Sequence, residues 1–174
     1  MTLSWNTTLI YNMFYSNTRY FILLTFLLFY IFSYSLFASD YKDITDKVFS
    51  DRKIDTIEGI WVKTYANQGP TGCVTMFYKE EGQYYQIHID ECFVMGKITG
   101  KHNKFDNMNY EGENAIYFYD GKVIWESSSI SISDDFKDFT ITHGTNNNKF
   151  IEKWKRIWPD NFNSYNKDIE KNNR

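Results

Sequence analysis

Hydrophobic and polar positions divide this chain into two textures, with the boundary near residue 39. From Tyr20 to Ala38 it runs nineteen residues without a charge, with Arg19 directly before and Asp40, Lys42 and Asp43 after. A run like this has no polar face to offer water, so it is not a surface helix. It predicts a hydrophobic N-terminal helix outside the folded domain, and two readings fit residues 1–39. One is a secretory signal peptide, with Arg19 as its basic flank and Ser35–Ser39 as a small-residue cleavage region. The other is an uncleaved membrane anchor, since about 20 apolar residues span a bilayer. Met13 offers a second possible start, giving a compact leader, and no Cys near residue 39 provides a lipid attachment site. Either way residues 40–174 are expected outside the cytoplasm. They are periplasmic or secreted in the first reading and tethered to the inner membrane through residues 20–38 in the second.

Beyond the leader, residues 40–57 read as a short helix or linker, with Tyr41, Ile44, Val48 and Phe49 on one helical side. From residue 58 the chain changes to short β-type runs punctuated by Gly, Asn and Asp. Such runs lie at 59–65, 72–79, 84–93, 94–99, 105–110, 115–119, 122–127, 129–133, 139–143 and 149–157. No helical pattern separates them, which removes the crossovers that a parallel sheet needs. The expectation is an all-β domain over 58–158, an antiparallel meander of eight to ten strands. Pro159 and the polar residues after it predict a tail over 159–174.

Two hairpins carry enough turn chemistry to propose a register. Asp120-Gly121 suits a two-residue type I′ turn. It sets Phe118 opposite Val123 and Ile116 opposite Trp125, as a core face. The other face, Tyr117, Tyr119 and Ile124 beside Lys122 and Glu126, is amphipathic. Gly82-Gln83 suits a type II′ turn, which sets Met76 opposite Ile89 and Tyr78 opposite Ile87 as an apolar core face. Its mixed face pairs Thr75 with Asp90 and Phe77 with His88, and brings Cys73 opposite Cys92. A two-residue slip would keep both cysteines on that face, whereas a one-residue slip would separate them. In an oxidising compartment this register predicts a Cys73–Cys92 disulfide.

Charge and motifs narrow the function by exclusion. Residues 40–174 carry 18 basic and 22 acidic groups, which gives no basic footprint for nucleic acid. No H-x-H, C-x-x-C, H-E-x-x-H or G-x-S-x-G occurs. His88, His102 and His143 read as solvent-facing or hydrogen-bonded strand residues. The reading is therefore a non-enzymatic domain without cofactor or metal.

Gly59-Ile60-Trp61 opens the first strand, and Trp154 and Arg156 share one face of the last. This pattern resembles that of the lipocalins and their small bacterial calycin relatives, many of them periplasmic. There a G-x-W strand meets an Arg from the last strand, laid over the Trp ring at the closed end of a barrel. The resemblance covers roughly residues 58–158 and implies that the meander closes into a small lipocalin-like β-barrel. It implies structural roles for Gly59, Trp61, Trp154 and Arg156. The domain is short for that family, which favours a barrel filled partly by its own side chains. Two functions remain open. The barrel could bind a small apolar or aromatic ligand, with Tyr78, Tyr85, Tyr117 and Tyr119 as candidate contacts, because a phenol joins apolar area to a polar tip. Alternatively, a filled barrel serves as an envelope structural or interaction protein through its Tyr117/Tyr119/Ile124 face. Oligomeric state is not legible in the chain.

Overall fold

A computed structural model describes residues 42–172 apart from Glu91, Phe93, Tyr119, Asn146 and Asn147. The hydrophobic helix expected over 20–38 lies outside the described residues, as does Tyr119. The chain divides into two units, 1–48 and 49–174. In the first, residues from 42 onward form most of helix α1 (42–49), where the Thr45 hydroxyl donates to the Lys42 carbonyl at 2.9 Å. Among the described residues, no helix is long and apolar enough to cross a membrane.

The second unit is an antiparallel barrel of eight strands. They are β1 (Gly59–Ala66), β2 (Val74–Glu80), β3 (Gln83–His88), β4 (Ile98–Lys104), β5 (Asn109–Tyr117), β6 (Val123–Ile132), β7 (Asp138–Thr145) and β8 (Asn148–Trp158). Each strand pairs with its sequence neighbour, and β8 closes back on β1. The ten expected runs become eight strands because 105–110 and 115–119 fall within β5 and its approach, and 122–127 joins 129–133 in β6. Closure removes every open strand edge and forces the first and last strands together. A second helix, α2 (Phe162–Asn172), stands where a polar tail was expected. Its Asn166 side chain accepts from the Ile54 amide and donates to the Ile54 carbonyl, and the Tyr165 hydroxyl donates to the Phe49 carbonyl at 2.7 Å. The first half of α2 thus ties down the segment that leads into β1.

At the closed end Trp61 pairs with Arg156 across β1 and β8, and the guanidinium lies 3.9 Å from the indole centroid. Arg156 Nη1 donates to the Glu58 carbonyl at 2.8 Å, Nε donates to the Phe136 carbonyl at 2.7 Å, and Nη2 donates to the Thr56 carbonyl. Burial pulls its pKa down, but three carbonyl acceptors and the ring face favour the charged form. The Trp61 indole N–H donates to the Ile57 carbonyl at 2.9 Å. Gly59 is required by geometry. Its φ is +133°, and a Cβ there would stand 2.3 Å from the Trp158 carbonyl oxygen. Above this lid Phe139 meets Trp61 and Phe77 edge-on and stacks on Trp154, and Tyr84 meets Tyr110 edge-on at 4.9 Å.

Both hairpin registers differ from expectation, and the turns explain why. At the first hairpin the central residues are Glu81 (φ +50°) and Gly82 (φ +86°), the two positive angles that a type I′ turn needs. Met76 therefore pairs with Ile87 and Tyr78 with Tyr85, a slip of two. The slip preserves faces, but the core lies on the opposite face from the one predicted: Phe77, Thr75 and Cys73 point inward, with Tyr84, Gln86 and His88. β2 is buried on both faces from Val74 to Phe77, so its alternation could not show which face is the interior. Cys73 and Cys92 do form a disulfide, with Cα atoms 5.3 Å apart. β2 begins at Val74 and β3 ends at His88, so the bridge joins the residue before β2 to the β3–β4 loop rather than two ladder partners.

At the second hairpin the Gly121 amide donates to the Phe118 carbonyl, and Phe118 pairs with Lys122 around a three-residue loop. Gly121 takes a left-handed conformation (φ +84°) at the end of this loop. That single extra residue shifts the register by one: Ile116 pairs with Ile124 and Ala115 with Trp125. A one-residue slip turns every side chain over. Phe118, Val123 and Trp125, expected in the core, are 46%, 39% and 37% exposed. Ile124 and Glu126, expected on the outer amphipathic face, follow the inward stripe that Ser128, Ile130 and Ile132 continue.

Two stability predictions come from this geometry. Gly59→Ala should cost about 3 kcal/mol, because it adds a clash to a backbone that L-residues avoid. Gly82→Ala, whose Cβ meets nothing within 4 Å, should cost only about 1 kcal/mol. Urea midpoints of the two variants would test the contrast, and equal losses would contradict the proposed role of Gly59. Replacing both cysteines by Ser should lower stability by about 1–3 kcal/mol, since the hairpin already holds much of the loop that the bridge closes. The variant should keep its β-sheet circular dichroism.

Candidate functional site

Along most strands the inward stripe changes character between the two ends of the barrel. Period-two alternation from Trp61 brings Lys63 inside, and from Arg156 it brings Trp154, Glu152 and Phe150 inside. On β7 the stripe runs Phe139, Ile141, His143, and on β5 it runs Tyr110, Gly112, Asn114. On β3 it runs Tyr84, Gln86, His88. The closed half is thus aromatic and aliphatic. The open half is a belt of polar side chains around a cavity of about 320 Å³.

The ladder fixes the order of this belt. Gln86 faces Gly100, Gly100 faces Asn114, and Asn114 faces Glu126. Ser128 then faces His143, and His143 faces Phe150. Gly100 is needed here for room, since a Cβ would stand 2.6 Å from His102 Nε2 and 2.8 Å from Gln86 Oε1. Asn114 Nδ2 donates to Gln86 Oε1 at 3.2 Å. Lys63 Nζ donates to Glu152 Oε1 at 2.7 Å, and the other Glu152 oxygen accepts the Trp154 indole N–H at 3.1 Å. Each oxygen of that carboxylate therefore has a protein donor. His143 lies flat against Phe150, ring centroids 4.8 Å apart. The disulfide and Val94 form part of the cavity wall on the β3–β4 loop side.

The belt leaves polar atoms without partners. Asn114 Oδ1, His143 Nδ1, His88 Nδ1 and Glu126 Oε2 are buried and hydrogen-bonded to nothing among the described residues, as is His102 Nε2 deeper in the core. Asn114 and His143 are 6% and 7% exposed. Each such atom costs about 1–3 kcal/mol when nothing meets it. Burial pulls the pKa of both His88 and His143 down. The Lys63 charge adds to that effect, while Glu152 opposes it at both and Glu126 opposes it at His143. Neutral imidazole is the favoured form at neutral pH, one nitrogen donating and the other accepting.

The expected contacts are placed differently by the fold. Tyr78 and Tyr85 pair across β2 and β3 on the outward face and stack on each other at 5.6 Å, away from the cavity. Tyr117 lines the cavity, its hydroxyl donating to the Ile98 carbonyl at 3.0 Å. The histidines are not solvent-facing, because the core of β2 and β3 is the face once read as mixed, which carries His88 inside. Lys63, Gln86, Asn114, Glu126 and Glu152 were not anticipated at all. The signal for Lys63 and Glu152 lay in the chain, two residues from Trp61 and Trp154 on the same strand faces. Among the described residues, no group of His, Cys, Asp or Glu is arranged to hold a metal ion.

His102 gives the site a pH signature. It is fully buried, and burial lowers its pKa to about 4. The unfolded chain, with an ordinary value near 6.5, takes up the proton first. The resulting contribution to stability is therefore complete above about pH 6.5 and is lost as pH falls toward 4, amounting to about 3 kcal/mol. Urea unfolding of His102→Gln between pH 7 and 4 should show a visibly flatter decline than the parent, and an identical decline would refute the assignment. Compared with protein-family models, curated proteins and solved structures, the chain matches none of them.

Proposed function

We propose that this protein is a non-enzymatic binding module of the lipocalin-like kind, which holds a small molecule in the open half of its barrel. One observation carries the reading: Asn114 Oδ1 and His143 Nδ1, each more than nine-tenths buried, sit on the cavity wall without partners. A barrel that only had to be stable would fill this level with aliphatic side chains, as it does around Ile130, Ile132 and Ile141. A polar, partly unsatisfied wall is what a ligand with its own polar groups would complete. The volume, about 320 Å³, suits a small ligand, at the lower end of the usual range of such sites (about 300–1,000 Å³). The Trp61–Arg156 lid supports kinship with the calycins. The disulfide and the charge-free run at 20–38 support export to an oxidising compartment.

A second reading has one observation in its favour. Phe118, Val123 and Trp125 expose apolar area together around the tip of the β5–β6 hairpin, as an interaction surface would. The two readings separate cleanly. Native mass spectrometry of the protein should show a small-molecule adduct that Asn114→Leu removes without unfolding the barrel. An adduct lost instead on Trp125→Ser, or a parent protein without any adduct that still captures a partner, would favour the surface over the cavity.

A further inference from the structure

Part of the barrel's solvent face is apolar, and that part lies beside the cavity mouth. The Tyr117 hydroxyl donates to the Ile98 carbonyl at 3.0 Å, which brings the β5–β6 hairpin against the end of the β3–β4 loop. Together they expose Met95, Phe118, Val123 and Trp125. Val94 and Tyr117, one residue before Met95 and Phe118, line the cavity. Lysines frame the patch. Lys97 Nζ stands 5.5 Å from the Tyr117 ring centroid and Lys101 Nζ 5.0 Å from that of Trp125, while Lys122 pairs with Phe118 across the hairpin loop. A lysine laid over a ring keeps its stem on apolar surface and its charge in water. Carboxylates are divided unequally between the two ends. Connections at the closed end carry Glu81, Asp106, Asp134 and Asp135 against Lys137 alone. Those at the open end carry Asp90, Glu91 and Asp120 against Lys97 and Lys122. Asp90 and Asp120 both accept from backbone amides of their own loops.

We infer that this edge of the open end docks on a lipid bilayer. Met95, Phe118, Val123 and Trp125 enter the headgroup layer, and Lys97, Lys101 and Lys122 meet lipid phosphates. Aromatic side chains flanked by lysines are the composition of surfaces that lie at a membrane interface. Met95 and Phe118 sit in the connections between strands, and a fluid interface takes such side chains in without a pocket shaped for each. A rigid protein partner would have to supply those pockets. Anionic headgroups attract the lysines of this end and repel the carboxylates of the other, which favours this orientation. The sequence also brings a membrane within reach. The charge-free run at 20–38 ends about twenty residues before β1, and left uncleaved it is long enough to span a bilayer. The inference stands on the surface alone, whatever the cavity holds.

The test places the full chain in nanodiscs of phosphatidylcholine and phosphatidylglycerol and reads methionine oxidation by dilute hydrogen peroxide, peptide by peptide. By exposure alone, Met95 at 64% should oxidise faster than the half-buried Met108 of the β4–β5 turn at the closed end. Docking reverses that order, with Met95 slower than Met108 by about threefold or more, because oxidation follows access to the aqueous oxidant. This comparison uses the parent protein and needs no variant. A second measurement repeats the nanodiscs with lipid brominated near the headgroup. Tryptophan quenching should be smaller in Trp125→Phe than in the parent, and Phe118→Ser should lower the Trp125 share about twofold. If Met95 keeps its lead over Met108 and the parent and Trp125→Phe are quenched alike, the membrane assignment is overturned. It is overturned equally if Met95 is protected while brominated lipid leaves Trp125 unquenched, since another protein or a second copy then covers the patch. Neither result touches the cavity reading, which the native mass spectrometry adduct decides.

Discussion

Everything in this barrel is referenced to one contact, the Arg156 guanidinium lying over the Trp61 indole. It joins the first and last strands, so it holds the closure on which the meander depends. Its three donated hydrogen bonds also gather the carbonyls of Thr56, Glu58 and Phe136, stitching the segment before β1 and the β6–β7 turn to one side chain. Lysine could not do this, because a point charge lacks the planar fork that stacks on a ring and reaches three acceptors together. Charged groups nearby complete the seal. The Glu58 carboxylate is buried and accepts from Arg52, from the Asp55 amide and from the Lys79 amide. Lys104, Tyr84 and Lys79 all donate to Asp55 and hold its carboxyl down near a pKa of about 2 against the cost of burial.

With one end sealed in this way, the other is free to be imperfect. The closed half gathers Trp61, Phe77 and Trp154 around Phe139, and large aromatic burial dominates core energetics. The open half forgoes part of that gain by placing histidines, amides and carboxylates inward, several with unmet atoms. Proteins concentrate such local departures from good packing where they act. The change from apolar to polar along a single strand is therefore the feature that separates scaffold from site.

The hairpins show how little a turn must change to alter this partition. At the β5–β6 turn one additional loop residue left Phe118, Val123 and Trp125 of the predicted core exposed while Ile116 stayed on the cavity wall, and brought Glu126 and Ile124 to the inner face. At the β2–β3 turn the two-residue slip left the faces intact, and Cys73 and Cys92 meet just beyond the ends of the two strands although their predicted ladder partnership does not exist. Register errors by two are forgiving and errors by one are not, since side chains alternate with a period of two.

The amino-acid sequence alone determined the class and the frame. Short alternating runs without helical spacers required an antiparallel meander, and Gly59, Trp61 and Arg156 marked where it closes. Two cysteines about twenty residues apart around a Gly turn marked the bridge. Those features are local in the chain or depend on residue types with few substitutes, such as a glycine at φ +133°. Which face of β2 and β3 is interior was decided only by the tertiary structure, because both faces of β2 are buried and carry apolar residues. The polar belt was settled at the same level. His88, Asn114, Glu126 and His143 lie on four different strands, and none carries a motif. They become neighbours only when closure sets all eight registers at once.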